Sequence, residues 1–370
     1  MIKLVVTFGT RPEIIKLAPV IQKLESHKGF NIVKIHTGQH DGLAQDMLSL
    51  FGIKPDHNLK SLASTKDLFE LTEFLLPKLK TLFLNEQPDG VIVQGDTTSS
   101  YLCAMAAFYL KIPVFHVEAG LRSFDLYNPF PEEINRKQIT TVSELHFVPT
   151  EIAKQNLLNE HVDSKKVFNT GNTVIDALFQ IRNSEKYNRS KPSFLEEIEP
   201  SQKLILVTAH RSENIGKPLR SILSGLIDIL NRDDSRLVLL PVHPNPKVRE
   251  IVEASEFSHK QLRVIEPLDY LSFQHVLDRS DLVLTDSGGI QEEAAALGKK
   301  LLVLRKTTER TELINNGYTK LVGSETKLIA KEANKMLMSS DSKSSFNPYG
   351  NGDASKKIAE IISSVYFFFF

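Results

Sequence analysis

Short apolar runs of β character alternate with helical stretches along nearly the whole chain, and this alternation limits the fold more than any other feature. The first half carries Lys3–Phe8, Asn31–Thr37, Gly90–Gln94, Val114–Glu118, Leu145–Val148 and Lys166–Asn169, with helical segments such as Pro12–His27 and Thr97–Leu110 between them. The pattern resumes with Leu204–Thr208, Arg236–Val242, Leu262–Ile265, Leu282–Thr285, Leu301–Leu304 and Thr319–Val322. Strand, helix and strand in repeated succession predict parallel sheets covered by helices on both faces. Between the halves, Asn183–Ser201 turns polar and charged and holds two prolines, so it reads as a linker. A chain of 370 residues also exceeds one comfortable core. The expected class is therefore α/β, with two doubly wound parallel-sheet halves of similar size.

Composition narrows the function. Lys plus Arg and Asp plus Glu number 45 each, so no net field draws the chain to nucleic acid or to an anionic membrane. Recognition of an anion must be local. The single cysteine, Cys103, sits in the apolar run LCAMAAF, which fits a buried thiol in a reducing cytoplasm. The N-terminus enters a strand directly, with no targeting segment, and the closing Val365–Phe370 run is too short to span a bilayer. That run reads as a tail that packs on a neighbouring surface or stays disordered.

In open α/β sheets, ligands sit outside the carboxyl ends of the strands. Polar residues gather after those ends here. They are Gly9-Thr10-Arg11-Pro12-Glu13 with Lys16, Gly95-Asp96-Thr97-Thr98, Glu118-Ala119-Gly120, Ala209-His210-Arg211, and His243-Pro244-Asn245. In Leu282–Leu297 a strand turns through Asp286-Ser287-Gly288-Gly289 into a helix predicted from Ile290. Such a turn offers backbone N–H groups and the positive end of a helix dipole to a phosphate. Glu292 and Glu293, one turn in, are placed to accept ribose hydroxyls. Each cluster alone has an ordinary reading: a helix cap for Asp96, a solvated carboxylate for Glu118, an interior histidine for His210. Their recurrence at one end of many strands favours a binding site. No G-x-G-x-x-G follows a strand and no G-x-x-x-x-G-K-[ST] occurs, which disfavours a dinucleotide cofactor and a P-loop. His36 and His40 lack the Glu of a zinc-binding helix, so no metal and no cofactor is expected.

The blocks GTRPEIIKLAPV, QGDTT, HVEAGLRS, NPFPEEINR, TGNTVIDAL, TAHRSEN, PVHPNP, TDSGGIQEEA and NPYGNGDAS resemble, in order, those of the non-hydrolysing UDP-N-acetylglucosamine 2-epimerases. That resemblance implies a GT-B-like pair of Rossmann-like doubly wound domains facing across a cleft. Residues 1–182 form the first, rejoined by a last helix at 354–365; 183–201 is the linker, and 202–353 forms a UDP-binding domain. It implies inversion at sugar C2 to give UDP-N-acetylmannosamine, by elimination of UDP across C1–C2 to a bound 2-acetamidoglucal and re-addition. It further implies catalytic or essential polar roles for Lys16, Asp96, Glu118, Glu132 and His210. Ser287, Gly288, Gly289, Arg310 and Arg11 correspond to diphosphate contacts, Phe273 to the aromatic on uracil and Glu293 to the ribose acceptor.

Gln39, Glu132, Arg211 and His243 match positions of a second, regulatory UDP-sugar site in some members. This chain departs from the family pattern at Gly38-Gln39-His40-Asp41-Gly42. The loop Leu59–Lys66 also lacks an expected arginine, which leans against that regulation. Arg310-Thr311-Glu312 replaces the usual Arg-Pro and leaves φ less restricted. A cytoplasmic homodimer, with the apolar Leu68–Leu84 segment as one interface candidate, is the expected assembly. Alternatives are a hydrolysing epimerase, an epimerase for a diacetamido uronate UDP-sugar, a glycosyltransferase of the same architecture, or an inactive UDP-sugar sensor.

Overall fold

The structure, a computed structural model, describes residues 1–38, 41–59, 67–314, 317–339 and 346–369. Side chains are described for all of these except 41–43, 212, 255 and 366–369. The chain divides into two compact units, Met1–Phe179 with Pro348–Phe370, and Gln180–Asn347. Residues 183–201 therefore belong with the second unit. They include the short helix Glu185–Asn188 and bury Tyr187, Leu195 and Ile198. The Tyr187 ring stacks on His275 with centroids 3.8 Å apart, and this contact holds the stretch against the helix Tyr270–Arg279.

The first unit is built on strands β1 (Ile2–Phe8), β2 (Phe30–His36), β3 (His57–Asn58), β4 (Gly90–Gln94), β5 (Val114–Val117), β6 (Leu145–Val148) and β7 (Val167–Asn169). They pair in the order β3-β2-β1-β4-β5-β6-β7, every pair parallel. The second unit contains β8 (Lys203–Thr208), β9 (Arg236–Pro241), β10 (Leu262–Ile265), β11 (Leu282–Thr285), β12 (Lys300–Val303) and β13 (Thr319–Leu321), in the parallel order β10-β9-β8-β11-β12-β13. The expected fold class, two Rossmann-like parallel-sheet domains of the GT-B-like kind, is the one observed.

Because helices cover both faces, central strands read as unbroken apolar runs: Gly90–Gln94 and Leu282–Thr285 are buried at every residue. Strand order reverses beside β1 and again beside β8. At a reversal, loops from adjacent strands leave toward opposite faces and open a crevice at the carboxyl ends. The crevices thus fall at β1/β4 and at β8/β11.

Three elements differ from expectation. The two-residue β3 is too short to show a periodicity. The helix Thr173–Arg182 went unread because it follows β7 after only Thr170-Gly171-Asn172, with the Asn172 side chain accepting from Val174 N (3.1 Å). The last helix runs Ala354–Phe369, so the aromatic run continues a helix and is not a separate tail. A helix already nucleated by Ala354–Val365 extends at little cost. Its start is fixed by Asp176, which accepts from Ala354 N (3.2 Å), Ser355 N (2.8 Å) and Ser355 Oγ (2.6 Å). Just before it, the Tyr349 carbonyl crosses Gly171 so closely that a Cβ there would lie 2.7 Å away. No described helix is long and apolar enough to cross a membrane.

Cys103 is fully buried between helices of the first core, and burial pushes its thiol up to about 12. Native protein at pH 8 should therefore not react with a disulfide reagent such as DTNB, and should release one equivalent of thiolate once denatured. Immediate labelling of the native protein would contradict this packing.

Candidate active site

In the first unit the crevice at β1/β4 is framed by Glu13. Its carboxylate accepts from Gly9 N (3.0 Å) and Thr10 N (2.7 Å) in the loop after β1. It also accepts from Thr97 Oγ1 (2.8 Å), the cap that follows β4, and from Ser100 Oγ (2.6 Å) in the first turn of the helix Thr98–Tyr109. One buried carboxylate thus ties the loop that carries Arg11 to the loop that carries Asp96, and it completes the capping box that starts the helix Arg11–Glu25.

Glu118 follows β5 with φ 64°, a left-handed backbone that costs a non-glycine residue energy and recurs at functional positions. Its Oε1 lies 2.5 Å from Lys16 Nζ and 3.3 Å from Asn172 Nδ2, and its Oε2 accepts from Gln94. Lys16 and Glu118 are 6% and 7% exposed, so the pair is desolvated and survives only because each charge is matched. Two residues on, Gly120 has φ 84°, and a Cβ there would lie 2.3 Å from the Ala153 carbonyl. The Glu-Ala-Gly turn is thereby locked.

Asp96 pairs with Arg136, whose guanidinium also grips Glu133 Oε2 through Nε (3.1 Å) and Nη2 (2.8 Å). Burial raises the Glu133 carboxyl, but the Ser123 N–H and Arg136 outweigh it and leave the group below its ordinary range. Glu132, half-buried, opens the helix Glu132–Val142 that carries Arg136. The expected residues Arg11, Lys16, Asp96, Glu118 and Glu132 all lie on the carboxyl side of this sheet. Glu13 is expected only as part of the polar run after β1, and Gln94, Asn172, Glu133 and Arg136 are not among the expected residues, although they stand inside the blocks QGDTT, TGNT and PFPEEINR. Their residue types fit caps and surface pairs equally well, and only long-range geometry reveals their work.

In the second unit the turn after β11 is organised by Asp286, which is fully buried. Its Oδ2 accepts from His210 N, Arg211 N and Asn214 Nδ2, each at 2.9 Å, and its carbonyl accepts from Arg211 Nε at 3.0 Å. The helix that follows begins at Gly288, so Ser287 is the N-cap and the turn is shorter than expected. The Arg310 guanidinium lies against Gly288: a Cβ there would meet its Cζ at 2.5 Å. Arg310 is held by Glu292 Oε1 (2.7 Å from Nε) and Glu309 Oε1 (2.5 Å from Nη1). Gly289 faces open space.

Glu292, expected as a ribose acceptor beside Glu293, is instead committed to Arg310. Glu293 accepts from Tyr270 OH (2.7 Å) and Gln274 Nε2 (2.8 Å), and both donors share a helix with the half-buried Phe273. His210 stacks on His243 with centroids 5.2 Å apart and rings 8° from coplanar. Burial first, then His210, hold His243 below the ordinary imidazole range, against the pull of Asp286. Gln39, His40 and most of the Leu59–Lys66 loop lie outside the described residues.

The model of the family described as UDP-N-acetylglucosamine 2-epimerase matches residues 22–363. The chain belongs to that family. The UDP-N-acetylglucosamine 2-epimerase of Neisseria meningitidis serogroup A is 41% identical, with 97% of this chain and 99% of the relative covered. That of Escherichia coli K12 is 41% identical, with 98% of each covered. Among solved structures, the N. meningitidis epimerase bound to UDP-GlcNAc aligns with a TM-score of 0.91 at 40% identity, covering 98% of this chain and 100% of the other. The Methanocaldococcus jannaschii epimerase in complex with UDP-GlcNAc and UDP aligns with a TM-score of 0.84 at 36% identity, covering 98% and 100%.

Beneath the first cluster of this family member, His116 Nε2 lies 2.7 Å from the Gly95 carbonyl, one residue before Asp96. Burial drives its imidazole down to about 3, and burial likewise drives that of His146, its partner across β5/β6, to about 4. Both stay neutral in the folded chain while the unfolded chain protonates near 6.5. Their contribution is complete above about pH 6.5 and is lost as pH falls toward those lower values, by up to about 1.4 kcal/mol per pH unit for each group. Urea midpoints should fall between pH 7 and 5.5, where most carboxylates remain ionised. A flat profile in that window would contradict the assignment.

Proposed function

We propose that the chain is a non-hydrolysing UDP-N-acetylglucosamine 2-epimerase that interconverts UDP-N-acetylglucosamine and UDP-N-acetylmannosamine. C2 of the hexose is not adjacent to a carbonyl, so its proton cannot leave as in an ordinary enolisation. In this reading a base takes the C2 proton while the C1–O bond breaks. UDP departs with that electron pair and 2-acetamidoglucal remains bound. A proton then returns to the other face of C2 as the diphosphate oxygen adds back to C1.

The single observation that carries this reading is the buried Lys16–Glu118 pair, set on a strained backbone at a strand-order reversal. A buried carboxylate with an ammonium 2.5 Å away sets a proton acceptor and a proton donor side by side. Asp96, Glu132 and His210 are the remaining acid–base groups, with Arg11 an added cation. For UDP, the Ser287–Gly289 helix start and Arg310 would stabilise charge growing on the leaving diphosphate. Phe273 would pack on uracil, with Glu293 accepting the ribose hydroxyls. Arg211, His243 and Glu132, with Gln39, would be the positions for a second UDP-sugar if one regulates the enzyme. The enzyme is taken to act in the cytoplasm as a homodimer, its product entering surface-polysaccharide or cell-wall glycan assembly.

Incubation with UDP-N-acetylglucosamine in D₂O, followed by proton NMR, tests the reaction. The expected result is loss of the C2 proton signal, appearance of the manno isomer and no free UDP beyond trace. Stoichiometric UDP with free N-acetylmannosamine would identify a hydrolysing enzyme, and no exchange at all would defeat the epimerase reading.

Gly288→Ala tests the diphosphate turn. The Arg310 guanidinium must move aside for the new Cβ, and UDP affinity measured by calorimetry should fall at least about tenfold, or about 1.4 kcal/mol. Unchanged affinity in a folded variant would place the diphosphate elsewhere.

A further inference from the structure

Asp286 accepts three N–H bonds on Oδ2 and none on Oδ1, although the residue is fully buried. A buried carboxylate oxygen without a donor is costly, so it is retained where a partner engages it for part of the time. The donor in position is the imidazole of His210: its Nδ1 lies 3.6 Å from Oδ1, just beyond hydrogen-bond reach. Asp286 also holds the backbone N–H of His210 itself, so it fixes both the main chain and the side chain of that residue. The ring is kept in plane by His243, stacked on one face.

We propose that Asp286 is the positioning residue of His210. Its free oxygen accepts a hydrogen bond from Nδ1–H when the ring closes on it, selecting the Nδ1–H tautomer and leaving Nε2 as the atom presented to substrate. The inference rests on the proposed role of His210 in the epimerase reaction. An imidazole anchored at Nδ1 can only accept or donate through Nε2, and the carboxylate behind it steadies the imidazolium whenever Nε2 gains a proton. The charged groups around the ring are Asp286 from the β11 turn, His243 from the loop after β9, and Arg211 beside it, whose Nε is spent on the Asp286 carbonyl. Glu213, in the following turn, points to Arg305, with Oε1 3.3 Å from its Nε. Asp286 is thus the anion directed at the ring.

The test is the ¹⁵N chemical shifts of the imidazoles in the full, ligand-free protein, with His210 assigned by its disappearance in His210→Gln. The expected result is a protonated Nδ1 and an unprotonated Nε2 on His210 near pH 8. In Asp286→Asn the amide presents N–H to Nδ1. The tautomer should invert, and kcat should drop at least tenfold with KM within about threefold.

An Nε2–H tautomer in the native protein would overturn the proposal, and so would a His210 tautomer unmoved by Asp286→Asn. The native tautomer is read with Asp286 in place, so an Asp286→Asn variant that fails to fold does not rescue the idea. Because the spectra need no substrate, they decide the Asp286–His210 pair even if UDP-N-acetylglucosamine proves not to be turned over.

Discussion

Reversal of strand order beside the first strand of each sheet is the constraint on which everything else depends. On either side of β1, and again of β8, the connections must leave toward opposite faces. The carboxyl ends at those two places are therefore the spots where loops part and polar side chains can converge without breaking the core. Lys16, Asp96 and Glu118 sit on the connections around the first reversal, and His210, Asp286 and Gly288 on those around the second. The sheets supply rigidity: β4 and β11 are buried at every residue, so the loops they carry are anchored from below.

Buried carboxylates then do the local work. Glu13 joins two loops in the first unit and Asp286 joins two in the second, each by accepting several N–H or O–H donors. Glu118 and Glu292 differ in that each is matched by a cation, Lys16 and Arg310 respectively. Removing one partner of such a pair would leave a buried charge unmatched at a cost of about 3–5 kcal/mol. The loops where the chemistry is proposed to occur are therefore held by buried polar contacts as well as by the packed sheets beneath them.

The class and order of elements were legible because parallel strands buried on both faces announce themselves as apolar runs; Gly90–Gln94 and Leu282–Thr285 were read to the residue. The loops bearing candidate side chains followed directly, since a polar residue after such a run is conspicuous. Illegible were residues whose work depends on distant partners. Asp286 looked like part of a glycine turn, and only the fold brings His210, Arg211 and Asn214 to it. Glu292 looked equivalent to its neighbour Glu293. Adjacent residues on a helix point about 100° apart, so one meets Arg310 and the other Tyr270 and Gln274. The Thr173–Arg182 helix has a local cap in Asn172, but the loop that sets its entry is fixed by the Tyr349 carbonyl from far along the chain.

The centre of the account is that the carboxylate held by Lys16 and Gln94 moves a proton at C2, and Glu118→Gln isolates it with almost no change in volume. The direct measurement is C2 hydrogen–deuterium exchange of UDP-N-acetylglucosamine by this variant, beside its UDP affinity. The account predicts exchange reduced at least about a hundredfold, in the range typical of a lost acid–base group, with UDP binding within about threefold of the parent. Exchange at the parental rate in a folded, UDP-binding Glu118→Gln variant would contradict it.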